Sequence, residues 1–247
     1  MLNRKFGISV AAIVGLSASV AGCIAPPAKC SCEEGSGTKA TGTAAAAGGK
    51  ISVEAQLAEL GLEPVVPMAA LIWDGASNQM INIDPPGGWF AYNDGSPDGV
   101  STPPSAAEFG DFLEGGAIHA TGKGFKTWGG GIGFNMVGSA MLTPVNASKY
   151  KGVKFKAWGT GWVHVGVATA ITVPEFGICT TCYDHYAVDI KLDEEPKIYE
   201  YPWEKLRQAG WGSPKAKIDT TTVVGMHFVS KGASAWDFHI DDVAFIE

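Results

Sequence analysis

Short apolar segments that alternate with polar residues dominate the chain after residue 68. Clusters of Gly, Pro, Asn and Asp separate these segments, which is typical of a β-sandwich. The pattern therefore predicts an all-β domain over residues 69–247. The predicted strands are Ala69–Trp73, Trp89–Asn93, Gly116–Gly122, Gly131–Met136, Val153–Trp158, Trp162–Thr172, His185–Leu192, Lys197–Pro202, Val223–Ser230 and Trp236–Phe245.

Two of these segments indicate which side of a strand faces the core. In the segment Val153–Ala157 apolar residues alternate with lysines, so we expect one buried and one solvated side. In the segment Trp162–Val167 the valines share one side, and Trp162, His164 and Gly166 share the other. Three tryptophans that lie within apolar alternations are assigned to the core: Trp73, Trp158 and Trp236.

Helical signals are weak and local. Ser52 is a suitable N-cap for a short helix that carries Leu57 and stops at Gly61, so residues 51–68 are predicted to form a short helix and an extended lead-in. A helical turn is also predicted at Trp203–Gln208, where Gly210 follows.

Residues 1–22 have the pattern of a signal peptide. Arg4 and Lys5 precede an apolar stretch that is too short to span a membrane as a mature helix. The following Val20-Ala21-Gly22-Cys23 resembles a lipobox, the processing site of bacterial lipoproteins. The resemblance implies a secreted protein that is acylated (palmitate) at Cys23, and Ile24 favours the outer membrane of a Gram-negative cell. An ordinary signal peptide followed by a chance cysteine is the alternative.

Residues 23–50 are predicted to be a lipid-anchored flexible linker. The stretch 33–50 has low complexity and no large apolar side chain. Burial therefore cannot offset the entropy that ordering this stretch would cost.

Composition and charge narrow the class of partner. The chain of 247 residues contains 33 Gly, 14 Pro and 8 Trp and only 17% charged residues, as suits a secreted β-rich fold. Its net charge is −7 and no basic run follows the N-terminus, so the electrostatic footprint of a nucleic-acid-binding protein is missing.

Cysteine usage indicates an oxidising compartment. If Cys23 is acylated, Cys30, Cys32, Cys179 and Cys182 remain, and disulfides are the default for an even number of thiols in such a compartment. We expect a local Cys179–Cys182 bridge and leave the pairing of Cys30 and Cys32 open. A zinc site formed by the four thiols is the alternative. A thioredoxin-like redox role lacks the βαβ unit that it needs.

Several motifs between Leu71 and Ile246 carry a resemblance to a known family. They are Leu-Ile-Trp-Asp-Gly-Ala-Ser-Asn-Gln (71–79), Gly-Gly-Trp-Phe-Ala-Tyr-Asn-Asp-Gly (87–95), the Gly-rich stretch 120–134, Cys-Tyr-Asp-His-Tyr (182–186), Leu-Arg-Gln-Ala-Gly-Trp-Gly (206–212) and His-Ile-Asp-Asp-Val-Ala-Phe (239–245). In this order they resemble galactose-binding-like domains related to carbohydrate-binding module family 11. The resemblance implies a jelly-roll β-sandwich that binds glycans without cleaving them.

The same resemblance implies a structural calcium ion near the first and last strands. Asp74 matches the first-strand ligand and Asp241 the last-strand one, and Ca²⁺ prefers such oxygen ligands. Trp73 stands where related modules often have an acidic residue. The alternative is a turn-forming Asp74 and a solvated Asp241.

Exposed aromatic residues are the candidates for sugar binding. Sugars stack their apolar faces on Trp or Tyr rings, while a few polar groups bond the hydroxyls. Trp128 lies in a Gly-rich stretch, Trp162 shares a strand side with a histidine, and Tyr183, Asp184 and His185 begin a strand after a loop. These five are the predicted ligand-binding residues, and positions in the core or at its rim are the alternative.

No catalytic motif stands out. Asp94, Asp98, Glu108, Asp111 and Glu114 lie in loop-like sequence, and no spacing singles out a pair for glycoside hydrolysis. Nucleophile-elbow, zinc-protease and phosphate-loop motifs are absent.

The predicted function is non-catalytic binding of polysaccharide, with β-glucan as a specific case, by a membrane-anchored module. One alternative is an envelope assembly lipoprotein that binds a protein partner. A further alternative is a glycoside hydrolase whose carboxylates lie in the loops.

Overall fold

The computed structural model describes residues 52–104, 113–138, 141–230 and 235–247. The signal, linker, Cys23, Cys30 and Cys32 predictions and two of the loop carboxylates, Glu108 and Asp111, lie outside these residues. The strands within them are β1 (Leu71–Trp73), β2 (Trp89–Asn93), β3 (Val100–Thr102), β4 (Leu113–Glu114), β5 (Ala117–Lys123), β6 (Gly130–Asn135), β7 (Gly152–Thr160), β8 (Trp162–Thr169), β9 (Tyr186–Lys191), β10 (Lys197–Pro202), β11 (Val223–Ser230) and β12 (Trp236–Ile246).

The strands form two antiparallel sheets. The seven-stranded sheet has the order β10-β7-β12-β5-β3, with β1 added to β12 and β4 added to β5. The five-stranded sheet has the order β2-β6-β11-β8-β9. This arrangement confirms the predicted all-β jelly-roll sandwich.

The core lies between the two sheets because the long strands turn their apolar sides inward. The Trp73 ring meets the Trp89 ring at 5.1 Å, and the Phe155 ring meets the Phe228 ring at 5.2 Å. Each pair joins one residue from each sheet. Such edge-to-face contacts stabilise the core beyond the effect of the area that the rings bury. Trp73 and Trp236 are buried, as predicted.

The assignment of Trp158 to the core is wrong. Its ring lies on the outer side of β7, stacked on the His239 ring at 4.7 Å with 5° between the planes. Alternate residues of a strand point to the same side, so Trp158 shares its side of β7 with Lys154 and Lys156.

The predicted helix forms at Val53–Glu59, where the Ser52 hydroxyl accepts the backbone N–H of Ala55. Its buried Leu57 packs in a small apolar cluster with residues such as Ala168 and Phe176. The second predicted helical element is shorter than expected, a single 3₁₀ turn at Trp203–Lys205. Nowhere in the described ranges is there a helix with the length and apolar character needed to cross a membrane.

Most predicted strands differ from the observed ones by one or two residues at an end, and the larger differences are local. The strands β3 and β4 were not predicted, since they comprise three and two residues next to turns. The strand β8 ends at Thr169, because residues Ala170–Thr172 turn into a 3₁₀ helix whose Thr172 hydroxyl bonds back to Thr169.

Candidate functional site

The outer side of the five-stranded sheet carries a continuous set of aromatic side chains. Strand alternation turns Trp89, Phe134 and Phe228 inward and leaves their sequence neighbours facing outward. We call this outward side the aromatic face. It is formed by Phe90, Tyr92, Trp128, His164, Tyr183, His185 and His227.

Five of these rings form a row across the sheet. The Trp128 ring lies 5.8 Å from the Tyr92 ring, which lies 5.6 Å from His227. The His227 ring stacks on His185 at 4.6 Å, and the Tyr183 ring follows at 6.2 Å. The row runs from β2 to the segment before β9, so four strand spacings of about 4.8 Å give it a length of roughly 19 Å.

Glycines form the floor beneath the rings. A Cβ added at Gly133 would lie 2.9 Å from the Met226 carbonyl oxygen and 3.0 Å from the Phe90 ring. A Cβ added at Gly166 would lie 3.3 Å from the Cβ of His185. The missing side chains let the rings lie against the backbone and leave the space above the sheet open.

A carboxylate fixes the loop that presents Trp128. The Asp94 side chain accepts the backbone N–H groups of Thr127 and Gly129 through Oδ2, at 2.8 and 3.1 Å, and that of Ser96 through Oδ1 at 2.9 Å. Burial works to raise the pKa of Asp94, but hydrogen bonds from Ser96, Gly129 and Thr127 outweigh it and lower the pKa to about 2. Trp128, 39% exposed, is thus held between two anchored residues.

Asp184 does the same at the opposite end of the row. Its carboxylate accepts the backbone N–H groups of Ala209, Gly210 and Gly212 at 2.8, 2.8 and 2.9 Å. The loop that it holds presents Trp211, which is 57% exposed. Asp184 itself is only 3% exposed, and its carboxylate is engaged by the backbone of this loop. The predicted contact of Asp184 with a sugar stays a prediction.

The predicted Cys179–Cys182 disulfide is confirmed. Ser213 exchanges backbone hydrogen bonds with Thr181, which joins the disulfide loop to the loop of Trp211. Because the two sulfurs are bonded to each other, they are not available for the alternative four-thiol zinc site.

Burial keeps two imidazoles of the face, His185 and His227, neutral at pH 7. Burial, then the nearby His227 and His164, hold the pKa of His185 well below its usual value of 6.5. Burial and then His164 lower the pKa of His227 to about 4. Neutral imidazoles keep one donor and one acceptor each, and the Nδ1 of His227 shares a hydrogen bond of 3.0 Å with the Tyr92 hydroxyl.

Most of the predicted ligand-binding residues lie on this face. Trp128, Tyr183 and His185 belong to the row of rings. Trp162, 52% exposed, lies at the start of β8 on the same outward side as His164. The Nδ1 of His164 approaches the Asp189 carboxylate to 2.7 Å, which adds a polar pair beside the rings.

Sequence reasoning did not identify Phe90, Tyr92, His227 or Trp211. Alternation in Trp89–Asn93 is the signal for the first two, since it places Phe90 and Tyr92 opposite the buried Trp89. No local signal identifies His227, because its role depends on neighbours from other strands.

The two predicted calcium ligands have partners of their own. The Asp74 carboxylate accepts the backbone N–H of Ala76 at 3.0 Å, as in an Asx turn. Asp241 pairs with the Lys156 ammonium at 2.9 Å, a hydrogen bond that raises the pKa of Lys156. The calcium site stays a prediction.

The described loop carboxylates are likewise engaged. Asp94 is committed to backbone N–H groups, Asp98 pairs with Lys126 and Glu114 pairs with His119.

No protein-family model matches the chain, and no curated protein matches it in sequence. It is similar to the solved structure of the family 11 carbohydrate-binding module of the cellulosomal cellulase Lic26A-Cel5E of Clostridium thermocellum, with 15% identity over 64% of this chain and 86% of that chain and a TM-score of 0.45. It is also similar to a family 11 carbohydrate-binding module from Clostridium thermocellum in complex with a β-1,3-1,4-mixed-linked tetrasaccharide, with 15% identity over 64% of this chain and 88% of that chain and a TM-score of 0.44. A family 29 carbohydrate-binding module is similar as well, with 11% identity over 71% of this chain and 86% of that chain and a TM-score of 0.39. The family that the sequence motifs resemble is therefore among the similar structures.

Proposed function

We propose that the protein binds polysaccharide on the aromatic face without cleaving it. The observation that carries this proposal is the row of five rings from Trp128 to Tyr183, which crosses all five strands of one sheet. Pyranose rings have apolar faces that stack on such side chains, and each aromatic contact contributes about 0.5–1.5 kcal/mol beyond area burial if it resembles an aromatic pair.

The shape of the face favours a chain over a single sugar. The rings follow one another across the sheet over roughly 19 Å, which suits several consecutive sugar units. Neutral imidazoles and the His164–Asp189 pair supply donors and acceptors for hydroxyl groups without a net positive field. A neutral glucan, such as a β-glucan, is the specific ligand that we propose.

We further propose that acylation of Cys23 holds the module at the cell envelope, with the outer membrane as its site in a Gram-negative cell. The lipobox-like Val20–Cys23 and the low-complexity stretch 33–50 support this proposal. Several acyl chains are needed for durable anchoring, as a mature lipoprotein would carry.

Affinity electrophoresis tests the binding proposal. The full chain with Cys23→Ser, oxidised at Cys179–Cys182, is run through gels that contain mixed-linked β-glucan, other glucans, xylan or mannan. We expect retardation by at least one glucan, and its loss in Trp128→Ala. Ile198→Ala on β10, a large exposed residue of the other sheet, is the matched control and keeps the retardation. A folded protein that passes every gel unretarded contradicts the proposal and favours the protein-partner alternative.

A further inference from the structure

Two histidine rings lie side by side at the centre of the aromatic face. His227 on β11 and His185, which directly precedes β9, stack at 4.6 Å with 22° between their planes. The Nδ1 of His185 lies 2.9 Å from the Thr172 hydroxyl oxygen. The Nδ1 of His227 lies 3.0 Å from the Tyr92 hydroxyl oxygen. A neutral imidazole has one N–H, so the nitrogen that carries the hydrogen decides what the other nitrogen offers.

The buried Thr172 hydroxyl determines where His185 carries its hydrogen. A hydroxyl group has one hydrogen and two lone pairs. Thr172, 2% exposed, donates its hydrogen to the Thr169 carbonyl oxygen at 3.0 Å, and its Oγ1 accepts the backbone N–H of Thr169 at 3.1 Å. One lone pair remains for His185. The Nδ1 of His185 therefore donates to Thr172, and its Nε2 is left as an acceptor.

Tyr92 gives His227 the opposite arrangement. A phenol O–H is a better acid than the N–H of a neutral imidazole, whose other nitrogen is a good acceptor. The Tyr92 hydroxyl therefore donates to the Nδ1 of His227. The hydrogen of His227 then lies on Nε2, which makes this nitrogen a donor.

Both Nε2 atoms stay available to a ligand. The two histidines are half-buried on the outward side of the sheet, and Nε2 is the ring nitrogen farther from the backbone. Neither Nε2 has a hydrogen-bond partner in the described ranges, and neither belongs to the enclosed polar side-chain atoms that lack a partner there. Each Nε2 thus keeps contact with solvent. The aromatic face presents an acceptor on one ring and a donor on the next.

We propose that the Thr172 hydroxyl sets the tautomer of His185, so that His185 accepts and His227 donates a hydrogen bond at neighbouring hydroxyl groups of a bound sugar. Thr172 is a positioning residue, because it acts through His185. A sugar hydroxyl can both donate and accept, so neighbouring hydroxyls suit the two nitrogens. The inference rests on the proposed glycan binding and adds the groups that recognise the sugar.

This pair of nitrogens favours neutral sugars over uronic acids. A carboxylate is ionised at pH 7 and has no hydrogen to donate. A glycan that placed a carboxylate at His185 would leave the Nε2 acceptor without a donor, and an unpaired acceptor costs binding energy.

NMR spectra that correlate ring protons with ring nitrogens report the tautomers directly. The full chain carries Cys23→Ser, is oxidised at Cys179–Cys182 and contains ¹⁵N-labelled histidine. At pH 7 we expect the hydrogen on Nδ1 of His185 and on Nε2 of His227. Thr172→Val should abolish the preference for Nδ1 in His185, whereas Thr172→Ser keeps the hydroxyl and should retain it. A parent chain whose His185 carries its hydrogen on Nε2 would overturn the inference, and this measurement requires no variant to fold.

Affinity electrophoresis in mixed-linked β-glucan measures the consequence for binding. We expect Thr172→Val to weaken the affinity about three- to tenfold, as the loss of one hydrogen bond would, and Thr172→Ser to bind nearly as the parent does. Thr222→Val is the matched control, because it also removes a buried threonine hydroxyl, one that bonds the Asp219 carboxylate. It should leave the His185 tautomer and the affinity unchanged.

The two measurements separate this inference from the proposed function. Equal glucan affinity of the parent and a folded Thr172→Val variant would refute the positioning role. A chain that shows the expected tautomers but binds no glucan would contradict the proposed function and support the assignment of the tautomers. Circular dichroism checks that each variant is folded.

Discussion

Two aspartates, Asp94 and Asp184, have equivalent roles at opposite ends of the aromatic face. Asp94 accepts two backbone N–H groups from the loop that presents Trp128 and a third from Ser96. Asp184 accepts three from the loop that presents Trp211. Hydrogen bonds to an ionised carboxylate are stronger than neutral ones, so each aspartate reduces the freedom of its loop. An ordered loop presents its ring at a lower entropic cost of binding.

Replacing Asp184 should weaken both the fold and the site. Asp184→Ala leaves the N–H groups of Ala209, Gly210 and Gly212 without their acceptor, and we expect the free energy of unfolding to fall by about 2–4 kcal/mol. Urea denaturation measures this change. Asp193→Ala removes only an exposed pair with Lys197 and should cost less than about 1 kcal/mol. Equal effects of the two substitutions would contradict the anchoring role.

The buried imidazoles predict how stability depends on pH. His227 has a pKa of about 4 in the folded protein and 6.5 when unfolded. Between these values the unfolded chain binds a proton that the folded chain does not, so the free energy of unfolding falls as pH is lowered from 6.5 to 4. His227→Gln should flatten this dependence, as urea denaturation at several pH values will measure. An unchanged slope would show that His227 is not a buried neutral base.

At the scale of elements, alternation within each strand decides what faces solvent. The predicted Trp89–Asn93, Lys197–Pro202 and Val223–Ser230 strands have the observed bounds. Gly88 and Asp94 flank the first strand and Pro196 precedes the second, so turn residues mark where these strands begin or end. The short β3 and β4 could not be predicted, since they owe their form to pairing with β5.

The candidate site was predictable only where local signals exist. Trp128 and Tyr183 were found because loop sequence surrounds a large aromatic residue. The row itself, and His227 at its centre, depends on strand order and register, which local sequence does not specify. The loop-ordering role of Asp184 was missed for the same reason, because its partners lie more than twenty residues away.

The glycine floor gives a prediction at this scale. Gly133→Ala places a Cβ against the Met226 carbonyl and the Phe90 ring, so we expect a loss of about 1–3 kcal/mol in unfolding free energy and weaker glucan binding. Gly88→Ala is the control, since its nearest atom would be the Asn78 carbonyl oxygen at 3.5 Å, an ordinary contact. Denaturation and affinity electrophoresis measure the two effects. A Gly133→Ala variant that matches Gly88→Ala in both would contradict the role of the floor.

Reduction of the disulfide should act on one end of the row. Backbone hydrogen bonds of Ser213 join the Cys179–Cys182 loop to the loop of Trp211, and Tyr183 directly follows Cys182 in the chain. We expect Cys179→Ser with Cys182→Ser to weaken glucan binding several-fold while Trp128 keeps its contribution. Affinity electrophoresis compares the double variant with its Trp128→Ala derivative in the same gels. The further loss of retardation in the derivative measures the contribution that Trp128 keeps. Unchanged affinity of the double variant would show that this end of the row does not contact the glycan.

At the scale of the whole molecule, the two sheets present different chemistry on their outer sides. One presents the open row of rings, and the other presents the His119–His239 stack with its carboxylates. The shared core between them keeps the two sides separate.

The most direct test of the central claim is an NMR titration of the ¹⁵N-labelled chain, with Cys23→Ser, against a mixed-linked β-glucan tetrasaccharide. The eight tryptophan indole N–H signals report on separate places in the molecule. The account predicts that the Trp128 indole and the backbone amides around Tyr92, His227 and His185 shift, while the indoles of the buried Trp73 and Trp236 do not. Shifts centred on Trp158 and the seven-stranded sheet, with the Trp128 signal unmoved, would contradict it.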